Sequence, residues 1–222
     1  MKNSDELSRL KSLYEYELGE FSNSKKIICG LDEAGRGPLA GPVVCSAVIL
    51  PRLESDSDFQ EFQGIDDSKK LSSKKREKLY ASLIENPKVH IGIGIVSEQI
   101  IDRINILKAT HLGMIRALKN LDIMPDCLLV DGMLIPKIKT YQRKIIDGDA
   151  LSLSIAAASV IAKVTRDTIM IQYHEKYPQY EFDKHKGYGT KVHLEKIKKF
   201  GPCKIHRMTF YPMTLMKEIG YE

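Results

Sequence analysis

Apolar positions along this chain of 222 residues recur with two different periods. In residues 1–24, Leu7, Leu10, Leu13, Tyr14 and Leu18 return at the three- and four-residue spacing of one helix face. Gly19 and the polar run Ser22-Asn23-Ser24 are expected to end that helix. The period then changes. Ile27 to Leu31 and Val43 to Leu50 are short, β-branched apolar runs separated by Gly and Pro, which reads as two strands joined by a turn. Ser72 or Ser73 caps a helix that reaches Glu85 and is broken at Asn86-Pro87. Val89 to Val96 alternates as a third strand. Helices over 98–103 and 106–121 follow. Cys127 to Val130 is wholly apolar, which suits a strand buried on both faces. Lys144 to Ile146 is a last short strand. From Ser152 a long helix, rich in Ala and Ser at its start, runs to about Lys176, as expected of a helix packed closely on a sheet.

Strands alternating with helices define an α/β class. The length fits one ordinary domain over residues 25–222 with a helical extension over 1–24. Hydrophobic content of 43% and charged content of 28% fit a globular protein. The start, Met1 to Lys11, is charged and carries no signal-peptide core, and the apolar runs are too short to span a bilayer. Cys29, Cys45, Cys127 and Cys203 are scattered without a Cys-x-x-Cys pair, so neither a zinc site nor a structural disulfide is expected, and a cytoplasmic setting is. The net charge of +5 points only weakly to an anionic partner. The charge is concentrated in residues 184–207, where eight Lys and Arg stand against the single acid Glu195.

Three of these strands end on acids: Asp32-Glu33, Asp131, and Asp147 or Asp149. In an open α/β sheet, strand ends lying side by side bring such acids to one edge. Clustered carboxylates repel one another, and hard divalent cations relieve that repulsion. Oxygen-only ligands favour Mg²⁺ or Mn²⁺ over zinc. Two such ions can clamp the oxygens of a phosphodiester during hydrolysis. Neighbouring strand residues face opposite ways, so Asp32 and Glu33 share a site only if the following glycines allow a bulge that re-aims Glu33.

The chain resembles the ribonuclease HII family of type 2 ribonucleases H. The resemblance is carried by Leu31-Asp32-Glu33-Ala34-Gly35-Arg36-Gly37-Pro38-Leu39-Ala40-Gly41-Pro42-Val43 and by Asp67-Ser68-Lys69-Lys70-Leu71. Val130-Asp131-Gly132, Gly148-Asp149, the run Ser154 to Asp167, and His185-Lys186-Gly187-Tyr188-Gly189-Thr190 follow in the family's order. The match covers about 27–210. It implies a ribonuclease H-like fold: a central mixed five-stranded sheet flanked by helices, with a helical C-terminal part. It implies endonucleolytic cleavage of RNA paired to DNA, and cutting at single ribonucleotides in duplex DNA, to leave 5′-phosphate and 3′-hydroxyl ends. By the same resemblance Asp32, Glu33, Asp131 and Asp149 hold two Mg²⁺ or Mn²⁺ ions. Gly35-Arg36-Gly37 reads the 2′-hydroxyl through its backbone, and Tyr188 stacks on the adjacent deoxyribose. Lys69, Lys70 and Lys186 are candidates for phosphate contact. The expected partners are RNA–DNA hybrid and ribonucleotide-containing duplex DNA, with no membrane, no obligate protein partner, and a monomeric chain.

One position departs from the family. Asp147 stands where members often carry a basic residue, and strand alternation is expected to turn it away from Asp149. His185, His193 and His206 are expected to be solvated or near phosphates, since no carboxylate–histidine spacing makes them ligands. Lys163 and Arg166 read equally well as surface charges of the long helix or as site residues. Read without the resemblance, Tyr188 is an ordinary turn tyrosine. A different metal-dependent nuclease on the same fold and a non-catalytic hybrid-binding module are the rival readings.

Overall fold

The computed structural model describes residues 2–218. The leading segment forms two helices, α1 (Lys2–Leu13) and α2 (Glu15–Ser22), with the break at Tyr14. Gly19 lies inside α2 and does not end it. A helical glycine costs only about 1 kcal/mol relative to alanine, and α2 is fastened by its buried Glu17 and Glu20. Glu17 accepts hydrogen bonds from Ser152 Oγ (2.7 Å), Ser154 N (2.9 Å) and Ser154 Oγ (2.6 Å). Leu10, Leu13 and Tyr14 enter the same core as Leu153, Ala157 and Ile161. The leading segment is therefore packed on the sheet-covering helix rather than projecting from it.

The strands are β1 (Ile28–Ala34), β2 (Val43–Ile49), β3 (His90–Val96), β4 (Cys127–Asp131) and β5 (Tyr141–Ile145). They form one mixed sheet in the order β3-β2-β1-β4-β5. β1 pairs antiparallel with β2 and parallel with β4, and β4 pairs parallel with β5. β1 is thus central, and its end lies beside that of β4. Between β2 and β3 run α3 (Asp56–Gln60) and α4 (Ser73–Glu85), the latter capped by Ser72. Between β3 and β4 run α5 (Glu98–Ile104) and α6 (Ile106–Lys119). The long helix α7 (Leu153–Lys176) starts at its Ser152 cap and covers one face of the sheet. Its apolar residues join one core, while those of α6 join another on the opposite face. Small residues set both approaches: a Cβ on Gly30 would lie 2.2 Å from the Ser154 backbone, and one on Gly94 would lie 1.9 Å from the Gly113 carbonyl.

β5 begins three residues before the expected strand and leaves Ile146 outside, 67% exposed. An edge strand with a largely exposed face does not need an apolar sequence, so the polar Tyr141-Gln142-Arg143-Lys144 gave no strand signal. The C-terminal part adds α8 (Phe182–His185), α9 (Lys191–Phe200) and α10 (Met213–Glu218). Phe182, Ile197, Ile205 and Met213 bury a third core against Leu39, Ala40 and Met170. This core presses the C-terminal part against the connection between β1 and β2. No described helix is long and apolar enough to cross a membrane.

Candidate functional site

Asp32 and Glu33 lie within β1, and the ladder to β2 runs unbroken through them (Asp32 opposite Ser46, Glu33 opposite Cys45). The bulge expected from the glycines is absent. Glu33 leaves the opposite face from Asp32, so the length of its side chain has to bring its carboxylate into the cleft that both residues line. That cleft, about 480 Å³, is also lined by Gly35, Arg36, Gly37, Ser68, Lys69, Asp131, Ser159, Lys163 and Tyr188. Asp131 ends β4 beside β1. Asp149 sits in a short 3₁₀ turn (Gly148–Ala150) just before α7.

Local hydrogen bonds aim these acids. Glu33 N donates to Asp32 Oδ1 at 2.7 Å, and Gly148 N donates to Asp131 Oδ1 at 2.7 Å. The second bond ties β4 to the turn that carries Asp149. Ser159 of α7 lines the cleft beside Asp32 and is 2.7 Å from Ser68 Oγ. Burial raises the Asp32 carboxyl well above the usual range, and the charges of Glu33 and Asp131 raise it further. Glu33 is raised by burial, against the pull of Arg36. Asp131 is raised by burial and by the neighbouring charge of Asp149, with Asp147 adding a smaller push.

Two cations partly answer this charge. Lys69 Nζ donates to Asp149 Oδ2 at 2.9 Å, which raises the lysine. Arg36 Nη1 donates to Glu33 Oε1 at 3.2 Å, while Glu33 Oε2 is buried without a hydrogen-bond partner. Among the described residues no three acid, histidine or cysteine side chains already stand together as a closed metal cage. The donor set nonetheless fits a hard divalent cation. It is all oxygen, its members Asp32, Glu33 and Asp131 are raised by burial and by neighbouring carboxylate charge, and it includes an orphaned carboxylate oxygen.

The other candidates separate. Lys70 turns away to Asp66 at 3.8 Å. Lys186 lies in an adjoining cleft of about 380 Å³ with Arg76, Lys163, Lys184 and Tyr188, its ammonium against the Asp183 carbonyl. Asp147 is exposed, but strand alternation is not the reason. β5 has already ended, and Asp147 takes a left-handed conformation (φ 53°), which Asp tolerates better than most residues.

The histidines are not solvated as expected. His185, His193 and His206 are 9%, 0% and 3% exposed, and none lines the cleft of the acids, though His185 borders the adjoining cleft of Lys186. His193 Nδ1 donates to the Tyr188 carbonyl at 2.9 Å, so its Nε2 accepts from His206 Nε2 at 3.1 Å. His206 Nδ1 then accepts from Cys203 N at 2.8 Å. Burial holds His193 down to about 3 and His206 to about 4, so the rings are neutral. Arg166 and Arg207 are fully buried. Arg207 therefore drops out of the expected basic surface, and Lys184 and Lys196 are paired to Glu181. The sequence reading also passed over Ser159 and Arg76; each sits on a helix whose facing toward the cleft is set only by packing.

A mixed sheet of this order, with acids at adjacent strand ends and helices on both faces, is the ribonuclease H-like architecture. The family model described as ribonuclease HII matches residues 29–213, and the chain belongs to that family. It is 53% identical over 203 residues to ribonuclease HII of Chlamydia trachomatis serovar A, covering 91% of this chain and 89% of that one. It resembles the crystal structure of ribonuclease H2 from Pyrococcus horikoshii OT3 with a TM-score of 0.69 and 28% identity, covering 87% of this chain and 98% of that one. The fold is also that of Bst-RNase HIII in complex with Mn²⁺, with a TM-score of 0.67, 17% identity, and coverage of 87% and 70%. Family membership makes the chain a hydrolase of the ribonuclease H type, an endonuclease acting on the RNA of RNA–DNA hybrids.

Proposed function

We propose that the cleft cuts phosphodiesters with two Mg²⁺ or Mn²⁺ ions held by Asp32, Glu33, Asp131 and Asp149, and that its substrates include single ribonucleotides in duplex DNA. The observation that carries the reading is the meeting of mutually repelling carboxylates from β1, β4 and the turn before α7, Asp32 and Asp149 buried and Glu33 and Asp131 half-buried. Bound there, the ions supply the positive charge that the attacking and leaving oxygens require, leaving 5′-phosphate and 3′-hydroxyl ends.

The chain's own groups do the rest. The Glu33 amide fixes Asp32, and the Gly148 amide fixes Asp131. Lys69 pairs with Asp149, and its largely exposed side chain offers its ammonium to a phosphate entering the cleft. Gly35 and Gly37 present backbone to the cleft, where a 2′-hydroxyl is read without side-chain crowding. Tyr188, 43% exposed on the cleft's rim, offers a ring for stacking on the next sugar. Lys186 serves phosphates of the adjoining cleft, and Lys70 has no direct part. No obligate protein partner enters this reading, and the working unit is the monomer in the cytoplasm.

The test is cleavage of a duplex carrying one ribonucleotide in Mg²⁺, Mn²⁺ or chelator. Asp131→Asn and Asp149→Asn each abolish cleavage and leave duplex binding largely intact. Near-normal turnover by either variant in saturating Mg²⁺ removes that acid from the mechanism.

A further inference from the structure

Among the described residues, Arg166 and Arg207 lie wholly inside the protein without a carboxylate at ion-pair distance, although the more distant charges of Glu98 and Asp102 act on Arg207 and that of Asp167 on Arg166. Arg207, in the segment before α10, donates from Nε to the Gly41 carbonyl (2.9 Å), from Nη1 to the Arg36 carbonyl (3.0 Å) and from Nη2 to the Gly35 carbonyl (2.6 Å). Arg166, on α7, donates from Nε to the Pro42 carbonyl (3.0 Å), from Nη2 to the Ala40 carbonyl (3.1 Å) and from Nη1 to the Lys186 carbonyl (3.0 Å). Its guanidinium also lies 5.8 Å from the Tyr188 ring centre. Burial lowers them to about 9 and about 10 respectively, which leaves both charged at neutral pH.

A buried charge with no carboxylate in direct contact is costly, and a purely structural anchor of carbonyls needs no charge. All six acceptors here are backbone carbonyls, five in residues 35–42 and one beside Tyr188. Gly35 fits against Arg166 only because it lacks a side chain: a Cβ there would lie 2.0 Å from Arg166 Nε. The connection is pinned further by Leu39 N to the Gly187 carbonyl (2.8 Å) and Arg207 N to the Leu39 carbonyl (2.8 Å).

We infer that Arg166 and Arg207 are positioning residues for ribonucleotide recognition: they hold the carbonyls of the Gly35–Pro42 connection inward, leave its opposite side for the 2′-hydroxyl, and lock that connection to the Tyr188 loop. This rests on the reading of Gly35-Arg36-Gly37 and Tyr188 given above. A charge behind a carbonyl also polarises the peptide units it faces, so the turn becomes a stronger donor without moving. Lysine at either position keeps the charge but loses the planar fork that spans three carbonyls.

The experiment compares binding to two duplexes that differ by one 2′-hydroxyl, with Ca²⁺ as the added ion and intact strands verified afterwards. The wild-type protein favours the ribonucleotide duplex. Arg207→Lys and Arg166→Lys each lower that preference by about fivefold to tenfold, the worth of one neutral hydrogen bond, and leave affinity for the all-DNA duplex unchanged. A residue of merely structural importance weakens both duplexes alike. A folded variant with the wild-type preference, or an equal loss on both duplexes, overturns the inference. If neither variant melts cooperatively, the wild-type protein labelled with ¹⁵N-arginine decides. The two buried Nε–H signals shift with the ribonucleotide duplex and not with the all-DNA duplex, and identical spectra with both overturn it. A wild-type protein without preference defeats the 2′-hydroxyl reading itself, a result distinct from failure of the two arginines.

Discussion

Gly30→Ala tests how the site is assembled. Gly30 lies in the centre of β1, two residues before Asp32, where the first turn of α7 crosses. The added methyl would meet Ser154 C at 2.2 Å, Ile155 N at 2.4 Å and the Ser154 carbonyl oxygen at 2.4 Å. These are backbone atoms, so no side chain can swing aside. Reaching the 3.4 Å of ordinary contact requires the helix and strand to part by 1.2 Å (3.4 less 2.2). That movement strains the bonds from Ser152 and Ser154 to Glu17 and separates Asp149, just ahead of α7, from Asp32. Overpacking of this kind costs about 1–3 kcal/mol, offset by roughly 0.4–1 kcal/mol of lost unfolded-state entropy. Displacement of reacting groups by about 1 Å costs on the order of a hundredfold in rate. The assay is urea unfolding beside single-turnover cleavage of a ribonucleotide-containing duplex. The expected result is a lower midpoint with unchanged slope, and a rate loss larger than any unfolded fraction explains. Gly19→Ala is the control, because nothing lies within 4 Å of its Cβ position and it sits inside α2. It stabilises by up to about 1 kcal/mol. A Gly30→Ala protein as stable and active as wild type refutes the close crossing of α7 on β1.

Glu17→Ala leaves three donors at the start of α7 without their acceptor and destabilises the protein by about 2 kcal/mol in urea unfolding; an unchanged midpoint shows that α2 does not anchor α7. His193 and His206 are held neutral in the fold, to about 3 and about 4, while the unfolded chain protonates them near the ordinary value of 6.5. The unfolded state therefore binds more protons between those values, and the histidines' contribution to stability, complete above pH 6.5, is lost as pH falls through this window by about 1.4 kcal/mol per unit and histidine. The raised acids Asp32, Glu33 and Asp131 act in the opposite sense, so the measurement is the difference in urea midpoint between pH 7 and pH 5 for wild type and for His206→Gln. Equal pH dependence in the two proteins rules out the buried histidine pair as its source.

Much of this protein is written locally. The apolar runs at β1, β2 and β4, a serine cap at Ser72 or Ser73, the start of the long helix at Ser152, and the acids at strand ends each announce themselves within a few residues, because period, cap and strand end are short-range features. The order of motifs carried the family. What the sequence alone did not decide are the properties that depend on which faces meet. β5 was misplaced because an edge strand need not be apolar. Glu33 enters the cleft without a bulge, which only the unbroken register with β2 reveals. Charge on paper is not charge at the surface: Arg207 belongs to a basic run in sequence yet lies inside, holding the carbonyls of Gly35, Arg36 and Gly41 from more than 160 residues away, at separations of 172, 171 and 166. His193 and His206, which read as solvated or near phosphates, form a buried chain behind Tyr188 for the same reason. A residue's type limits the chemistry it can do. Its burial and its partners are set by segments distant in sequence, and those come together only in the folded chain.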